Sequence, residues 1–198
     1  MTVAVLTVDQ RRSRSGPDLV AATVADLADV PLLLALDRTA GDEFQGVLDD
    51  PASLPPIVET LLRQDAWKIG IGFGEVERPL PDNVRAGRGE AFVRAREAVN
   101  AARTSPWHLR VLGEDPRARA LETTLWLWAA VLARRTRGGW EVADLVDQGL
   151  SYDEAGRRLG ISQSAVSQRA QAAGIVETRR ARELVTVLAG QLLGKEPT

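Results

Sequence analysis

The chain has 198 residues, of which 44% are apolar and 26% charged, a balance typical of globular domains. It contains no cysteine, which excludes disulfide frameworks and thiolate sites and fits a cytoplasmic protein. Residues 1–116 carry 13 Arg/Lys and 18 Asp/Glu (net −5), whereas residues 117–182 carry 11 and 7 (net +4), which indicates two different kinds of partner. No apolar stretch is long enough for a membrane span, and Met1–Asp9 is expected to form a strand rather than a signal peptide.

Up to residue 112, apolar periodicity predicts alternating strands and helices. They are strand Val3–Val8, helix Asp18–Asp29, strand Pro31–Asp37, strand Phe44–Leu48, helix Ser53–Gln64, strand Trp67–Glu75, helix Gly89–Arg103 and strand Trp107–Leu112. The order β-α-β-β-α-β, with an α-β extension, predicts an α+β fold that begins with a ferredoxin-like sandwich: one antiparallel sheet with helices on one face. A loop at Gly113–Pro116 divides this domain, residues 1–114, from a helical region, residues 115–198.

The helical region is predicted to contain four parts. They are a helix at Arg117–Arg137, a helix around Trp140 and Leu145, a helix-turn-helix over 151–173 and a last helix at Glu177–Leu193. The apolar faces of the first and last helices exceed what a small trihelical domain buries. We therefore expect the helix at 177–193 to contribute to a homodimer interface, with burial inside one subunit as the alternative.

Local signals define the two helices of the predicted motif. Ser151 followed by Glu154 forms a capping box at the start of the first helix. Gly160 suits the left-handed residue that ends this helix, and Ser162 suits the cap of the second. Ala155, Leu159, Val166 and Ala170 are then expected to lie between the helices.

A polar outer face is predicted for the second helix. It consists of Gln163, Ser164, Ser167, Gln168, Arg169 and Gln171. Gln pairs with adenine and Ser with either base pair in the major groove, so these side chains are expected to contact bases of double-stranded DNA. The flanking Arg157 and Arg158, with Arg179 and Arg180, suit phosphate contacts. A helical hairpin used only for packing is the alternative.

The segment Leu-Gly-Ile-Ser-Gln-Ser-Ala-Val-Ser at 159–167 resembles the helix-turn-helix of sigma-factor region 4 and of MarR-type bacterial regulators. The resemblance covers about 25 residues of the chain. It implies binding to double-stranded DNA.

Carboxylates occur where the first strand ends and where the predicted strand 2–3 hairpin turns. They are Asp9, Asp42 and Glu43. In a ferredoxin-like sheet these two places are neighbours, so the side chains are expected to converge. Hard oxygen ligands of this kind suit Mg²⁺, with water and phosphate completing its coordination. A solvated acidic turn is the alternative.

The motif Ala-Gly-Asp-Glu-Phe at 40–44 resembles the signature of diguanylate cyclases, with Ala40 in place of the first glycine. Its extension Gly-Asp-Glu-Phe-Gln-Gly, together with 69–75 and 89–98, is similar to the SatD-like proteins of bacteria, and this similarity covers most of the chain. It implies a palm-type nucleotide domain that binds Mg²⁺ and a nucleotide. Arg11, Arg12 and Arg14 are the candidate nucleotide-binding residues, and Arg94 and Arg96 lie within reach of the site.

Together these features predict a DNA-binding transcriptional regulator that responds to a nucleotide with Mg²⁺. One alternative is a palm-type nucleotidyl cyclase or transferase with an appended DNA-binding module. Another is a sheet domain that serves only as a dimerisation scaffold. Gly70, Gly72 and Gly74 are expected to allow close backbone packing or to leave space for a ligand base.

Overall fold

A five-stranded sheet forms the core of the N-terminal half in the computed structural model, which describes residues 1–13 and 15–195. Its strands are β1 (Thr2–Gln10), β2 (Leu34–Ala40), β3 (Glu43–Leu48), β4 (Trp67–Glu75) and β5 (Leu109–Leu112). They are ordered β2-β3-β1-β4-β5. The first four strands are antiparallel to their neighbours, but β5 runs parallel to β4. The expectation of a wholly antiparallel sheet is therefore wrong at this edge.

Eight α-helices occur in the described part of the chain. They are α1 (Val20–Asp26), α2 (Leu54–Gln64), α3 (Glu90–Ala102), α4 (Arg117–Leu132), α5 (Arg137–Asp147), α6 (Tyr152–Leu159), α7 (Gln163–Ala172) and α8 (Ile175–Leu193). Within these residues, no helix combines the length and the apolar character needed to cross a bilayer. Sheet and helices together confirm the predicted α+β class.

Helix α3 packs on one face of the sheet at unusually short range. A Cβ atom added to Gly70 would lie 2.3 Å from the backbone nitrogen of Val99, and one added to Gly72 would lie 2.2 Å from that of Ala95. Only glycine fits such a contact, because any side chain would overlap the helix backbone. Close backbone packing at Gly70 and Gly72 is therefore confirmed.

Helices α2, α4 and α8 cover the opposite face. Ile69 and Ile71 of β4 share one buried cluster with Leu125 of α4 and Val185 of α8. The expectation of helices on a single face is therefore wrong. The predicted division between residues 114 and 115 also does not follow the hydrophobic cores, since α4 and α8 lie beyond it in sequence but complete the core of the sheet.

A second, smaller core lies among α5, α6 and α7. Val142 and Leu145 of α5 pack there with Ala155 of α6 and with Val166 and Ala170 of α7. Helix α8 links the two cores: Ile175 at its start belongs to the small core, and Val185 further along belongs to the large one.

Two element boundaries differ from prediction for identifiable reasons. Trp107 and His108 adopt left-handed conformations, with φ of 56° and 49°, so the strand predicted from Trp107 begins only at Leu109. Helix α4 ends at Leu132 rather than near Arg137 because Thr136 caps α5 by accepting a hydrogen bond from the Gly139 amide.

Candidate nucleic-acid interface

The start of α6 is fixed by the predicted capping box, which the structure contains. The Ser151 hydroxyl accepts a hydrogen bond from the Glu154 amide at 3.3 Å, and Glu154 Oε2 accepts one from the Ser151 amide at 2.8 Å. These bonds satisfy amides that the first helical turn leaves without partners. The Ser151 hydroxyl and amide also hold the pKa of Glu154 below its ordinary value.

A three-residue turn, Gly160–Ser162, brings α7 back against α6. Gly160 has φ of 66°, the predicted left-handed conformation, which glycine adopts without a steric penalty. The turn also requires a glycine at position 156 of α6, which the sequence pattern did not indicate. A Cβ atom there would lie 2.8 Å from the Ile161 carbonyl oxygen, so the turn folds directly onto α6.

One side of α7 is buried and the other is open to solvent. Ser162 caps the helix by accepting a hydrogen bond from the Ala165 amide at 3.2 Å, as predicted. Val166 and Ala170, four residues apart, lie in the small core with Ala155 of α6. This spacing places the intervening side chains on the outer surface of the helix.

Every predicted base-contacting residue lies on that outer surface. The exposed side chains are Gln163, Ser164, Ser167, Gln168, Arg169 and Gln171. None of the large apolar side chains that the structure exposes belongs to α7, so this face lacks the stripe that packing against another helix would need. The alternative of a helical hairpin made only for packing therefore has no supporting feature here.

Exposed arginines occur on α6 and on α7 itself. Arg157 and Arg158 are both exposed on α6, where Arg157 forms an ion pair with Asp153 at 3.1 Å. Arg169 extends from α7 towards the first turn of α5, where its guanidinium would lie 3.1 Å from a Cβ atom at Gly138. The proximity of Arg169 to α5 could not be read from the sequence.

The acidic turn forms a separate cluster where β1 ends and β3 begins. Asp9 and Glu43 are register partners on β1 and β3, so the structure brings them together as predicted. Each is already paired with a cation of the protein, however. Lys68 Nζ lies 2.7 Å from Asp9 Oδ1, and Arg96 Nη2 of α3 donates to Glu43 Oε1 at 2.8 Å.

These contacts bear on the predicted Mg²⁺ ligands Asp9, Asp42 and Glu43. Glu43 is buried and also accepts a hydrogen bond from Thr39 Oγ1 at 2.6 Å. Within residues 1–13 and 15–195, no group of three or more His, Cys, Asp or Glu side chains is arranged to hold a metal ion. Lys68 and Arg96 thus pair with two of the three carboxylates, and Mg²⁺ binding at the acidic turn stays a prediction.

Of the predicted nucleotide-binding arginines, Arg11 is paired with a carboxylate outside the acidic turn. Arg11 forms an ion pair with Asp65 at 2.9 Å, and Arg12 is exposed. Arg14 lies outside the described residues. Of the two α3 arginines, Arg96 reaches Glu43, whereas Arg94 donates to the Phe73 carbonyl at 2.8 Å.

Comparison with protein families, curated proteins and solved structures found no match to this chain. The resemblance to SatD-like proteins therefore stays a prediction.

Proposed function

We propose that this protein is a DNA-binding transcriptional regulator in which α5, α6 and α7 form a helix-turn-helix domain. One observation carries the proposal: α7 buries Val166 and Ala170 and presents a continuous exposed face of Gln and Ser side chains. The tight turn at Gly160 and the small core beneath α7 support the same assignment, because such modules hold a recognition helix clear of the domain surface.

Helix α7 is the proposed recognition helix, because its length and polarity suit the major groove of B-DNA. Ten residues at 1.5 Å each extend for roughly 15 Å, which is long enough to place several side chains against base edges. Gln163, Gln168 and Gln171 supply amide groups that pair with adenine, and Ser164 and Ser167 bond either base pair.

The surrounding arginines are proposed to contact phosphates. Arg157, Arg158 and Arg169 are exposed on α6 and α7, and Arg179 and Arg180 are exposed near the start of α8. Residues 117–182, which contain all of them, carry 11 Arg/Lys against 7 Asp/Glu, a net charge of +4. Phosphate contacts of this kind fix the orientation of the protein on DNA and make its affinity depend on salt.

A second copy of the chain is the proposed partner on the outer side of α4 and α8. Leu127 of α4 is 66% exposed, and Leu184 and Val187 of α8 are 47% and 37% exposed. Leu184 and Val187 are three residues apart, so they share one helix face, within the predicted dimerisation segment 177–193. A two-fold dimer would place two recognition helices about 34–36 Å apart, one turn of DNA.

For the sheet unit, which comprises the five strands with α1, α2 and α3, we propose a ferredoxin-like, palm-type scaffold. Support comes from the antiparallel order β2-β3-β1-β4, which is the order of a βαββαβ sheet. A response to a nucleotide with Mg²⁺, or the cyclase or transferase alternative, would first require Lys68 and Arg96 to release Asp9 and Glu43. Their pairing favours the scaffold over both.

Selection of duplexes from a random DNA library tests the proposed function. The full chain is expected to enrich a short sequence motif, and Gln168→Ala is expected to relax one position of that motif. Asn100→Ala, which alters an exposed residue of α3, serves as the control and should enrich the wild-type motif. Failure of the wild-type protein to enrich any motif would overturn the proposal.

A further inference from the structure

Arg135, between α4 and α5, is the most deeply buried cation in the described part of the chain, with 1% of its side chain exposed. Its Nε donates to the Ala173 carbonyl at the end of α7, at 2.7 Å. Its Nη2 donates to the Thr178 hydroxyl of α8, and its Nη1 lies 3.4 Å from Glu59 Oε1 of α2. A single guanidinium thus connects the proposed recognition helix to the sheet unit.

The charge network continues from Glu59 to α5. Arg182 of α8 donates from Nε to Glu59 Oε2 at 2.7 Å and binds Asp147 of α5 with both terminal nitrogens, at 3.0 and 2.7 Å. Bidentate pairs of this kind fix direction as well as distance. Hydrogen bonds to Asp147 raise the pKa of Arg182, whereas burial lowers the pKa of Arg135.

Trp140, near the start of α5, completes the contact region between α5 and α2, which is called the junction below. The guanidinium carbons of Arg63 and Arg135 lie 4.4 and 4.5 Å from the centre of its ring. Arg63, at the end of α2, also binds both carboxylate oxygens of Asp144, at 2.7 and 2.9 Å. The α5–α7 unit therefore meets α2 mainly through directional charged contacts.

Directional contacts restrict the position of the α5–α7 unit relative to α2 more than apolar contacts do. A displacement of the unit would break these contacts and leave buried charges without partners. Arg135 is the member of the network that touches both α2 and the end of α7. Losing it would leave the Ala173 carbonyl and the Thr178 hydroxyl without this partner, while Glu59 would keep Arg182.

We infer that Arg135 is a positioning residue that sets the orientation of α7 relative to the sheet unit, and with it the angle at which α7 meets DNA. The DNA part of this inference rests on the proposed function. The orientation part is independent of it, since it concerns two elements of the free protein.

The absence of cysteine from the sequence makes the orientation directly measurable. Spin labels on Asn100→Cys in α3 and Gln171→Cys in α7, both exposed positions, report the distance between sheet unit and α7 by pulsed electron paramagnetic resonance. Arg135→Met keeps an unbranched stem as far as the ε position and removes the guanidinium with its hydrogen bonds. We expect a narrow distance distribution in the parent protein and a broadened or shifted one in Arg135→Met.

Two further variants separate positioning from general stability. Val5→Ala removes apolar contacts in the cluster under α3, away from the junction, and should lower the melting temperature without changing the distance distribution. Thr178→Val removes only one partner of Arg135 and serves if Arg135→Met does not fold. An Arg135→Met distribution identical to that of the parent would overturn the inference, and so would an identical Thr178→Val distribution if Arg135→Met does not fold.

DNA binding by the cysteine-free counterparts of these proteins, in which Asn100 and Gln171 are unchanged, gives the second readout. Arg135→Met is expected to lose about tenfold in the ratio of specific to non-specific affinity, with an unchanged salt slope, since no phosphate contact is removed. If the wild-type protein binds no DNA but the label distance shifts, the proposed function fails and the positioning role stands. If DNA binding is specific and the distance does not change, the inference fails and the proposed function stands.

Discussion

Arg96 Nη2 lies 2.8 Å from Glu43 Oε1, so a guanidinium from α3 neutralises the buried carboxylate of the acidic turn. The neighbouring Asp9 is neutralised in the same way by Lys68 at 2.7 Å. In the folded protein the acidic motif therefore takes part in two ionic contacts, one within the sheet between Lys68 and Asp9 and one between the sheet and α3 through Arg96 and Glu43.

Removing Arg96 is expected to destabilise the protein by about 1–3 kcal/mol, because Glu43 would keep its burial and lose its cation. Urea unfolding of Arg96→Met measures the loss. Arg88→Met, at an exposed arginine of the preceding loop, is the control and should unfold like the wild type. Equal urea midpoints for the two variants would show that the Arg96–Glu43 pair contributes nothing to the free energy of unfolding.

Thermal unfolding of the wild-type protein with nucleoside triphosphates and cyclic dinucleotides should show no Mg²⁺-dependent stabilisation, since Lys68 and Arg96 occupy the carboxylates. Asp42→Asn, measured in parallel, should behave like the wild type. A Mg²⁺-dependent shift with one nucleotide that is lost in Asp42→Asn would contradict this expectation and restore the acidic turn as a ligand site.

Gly72→Ala should destabilise the fold by about 1–3 kcal/mol or more, because the new Cβ would lie 2.2 Å from the Ala95 backbone nitrogen. Denaturant midpoints of the purified variants measure this loss. Gly16→Ala places its Cβ at an ordinary 3.5 Å contact and is the matched control. A wild-type midpoint for Gly72→Ala would mean that α3 does not pack as closely as described.

The parts of the fold that could be predicted from the sequence depend on neighbouring residues. The capping box at Ser151 and Glu154, the left-handed Gly160 and the Ser162 cap each involve atoms within one helical turn. Strand β4 was also predicted with its observed ends, because alternating apolar residues and flanking polar ones define it locally.

The remaining features depend on partners far apart in the chain. Glu59 and Arg135 are separated by 76 residues, and neither has a local signal that names the other. The helices on the face opposite α3 include α4 and α8, which follow the sheet in sequence but pack against Ile69 and Ile71 of β4. The left-handed Trp107 and His108 had no glycine or asparagine to indicate them.

The pKa of Asp115 is about 2, below the ordinary 3.8, mainly because the Arg117 side chain donates hydrogen bonds to it and secondly because the Arg117 amide does. The contribution of this depressed pKa to stability is complete above pH 3.8 and is lost as the pH falls towards 2. Carboxyl NMR titration should show the pKa rising towards 3.8 in Arg117→Met and unchanged in Arg119→Met. An unchanged Asp115 titration in Arg117→Met would contradict the assignment.

The proposed dimer predicts that Leu184→Asp produces a monomer at micromolar concentration, because a carboxylate at the interface would lose its hydration without gaining a partner. Sedimentation equilibrium measures the mass. Val93→Asp changes a comparably exposed side chain on α3, 58% exposed, and should leave the dimer intact. A wild-type protein that sediments as a monomer at all concentrations would exclude this interface.

The most direct test of DNA recognition by α7 compares Gln168→Ala with Arg158→Ala on the selected duplex and on an unrelated one, across a range of salt. Gln168→Ala should weaken only the selected duplex, by about 1–3 kcal/mol, because it removes a base contact. Arg158→Ala should weaken both duplexes alike and reduce the salt slope by about one, because it removes a phosphate contact. Wild-type affinity for both duplexes in both variants would contradict the placement of α7 in the major groove.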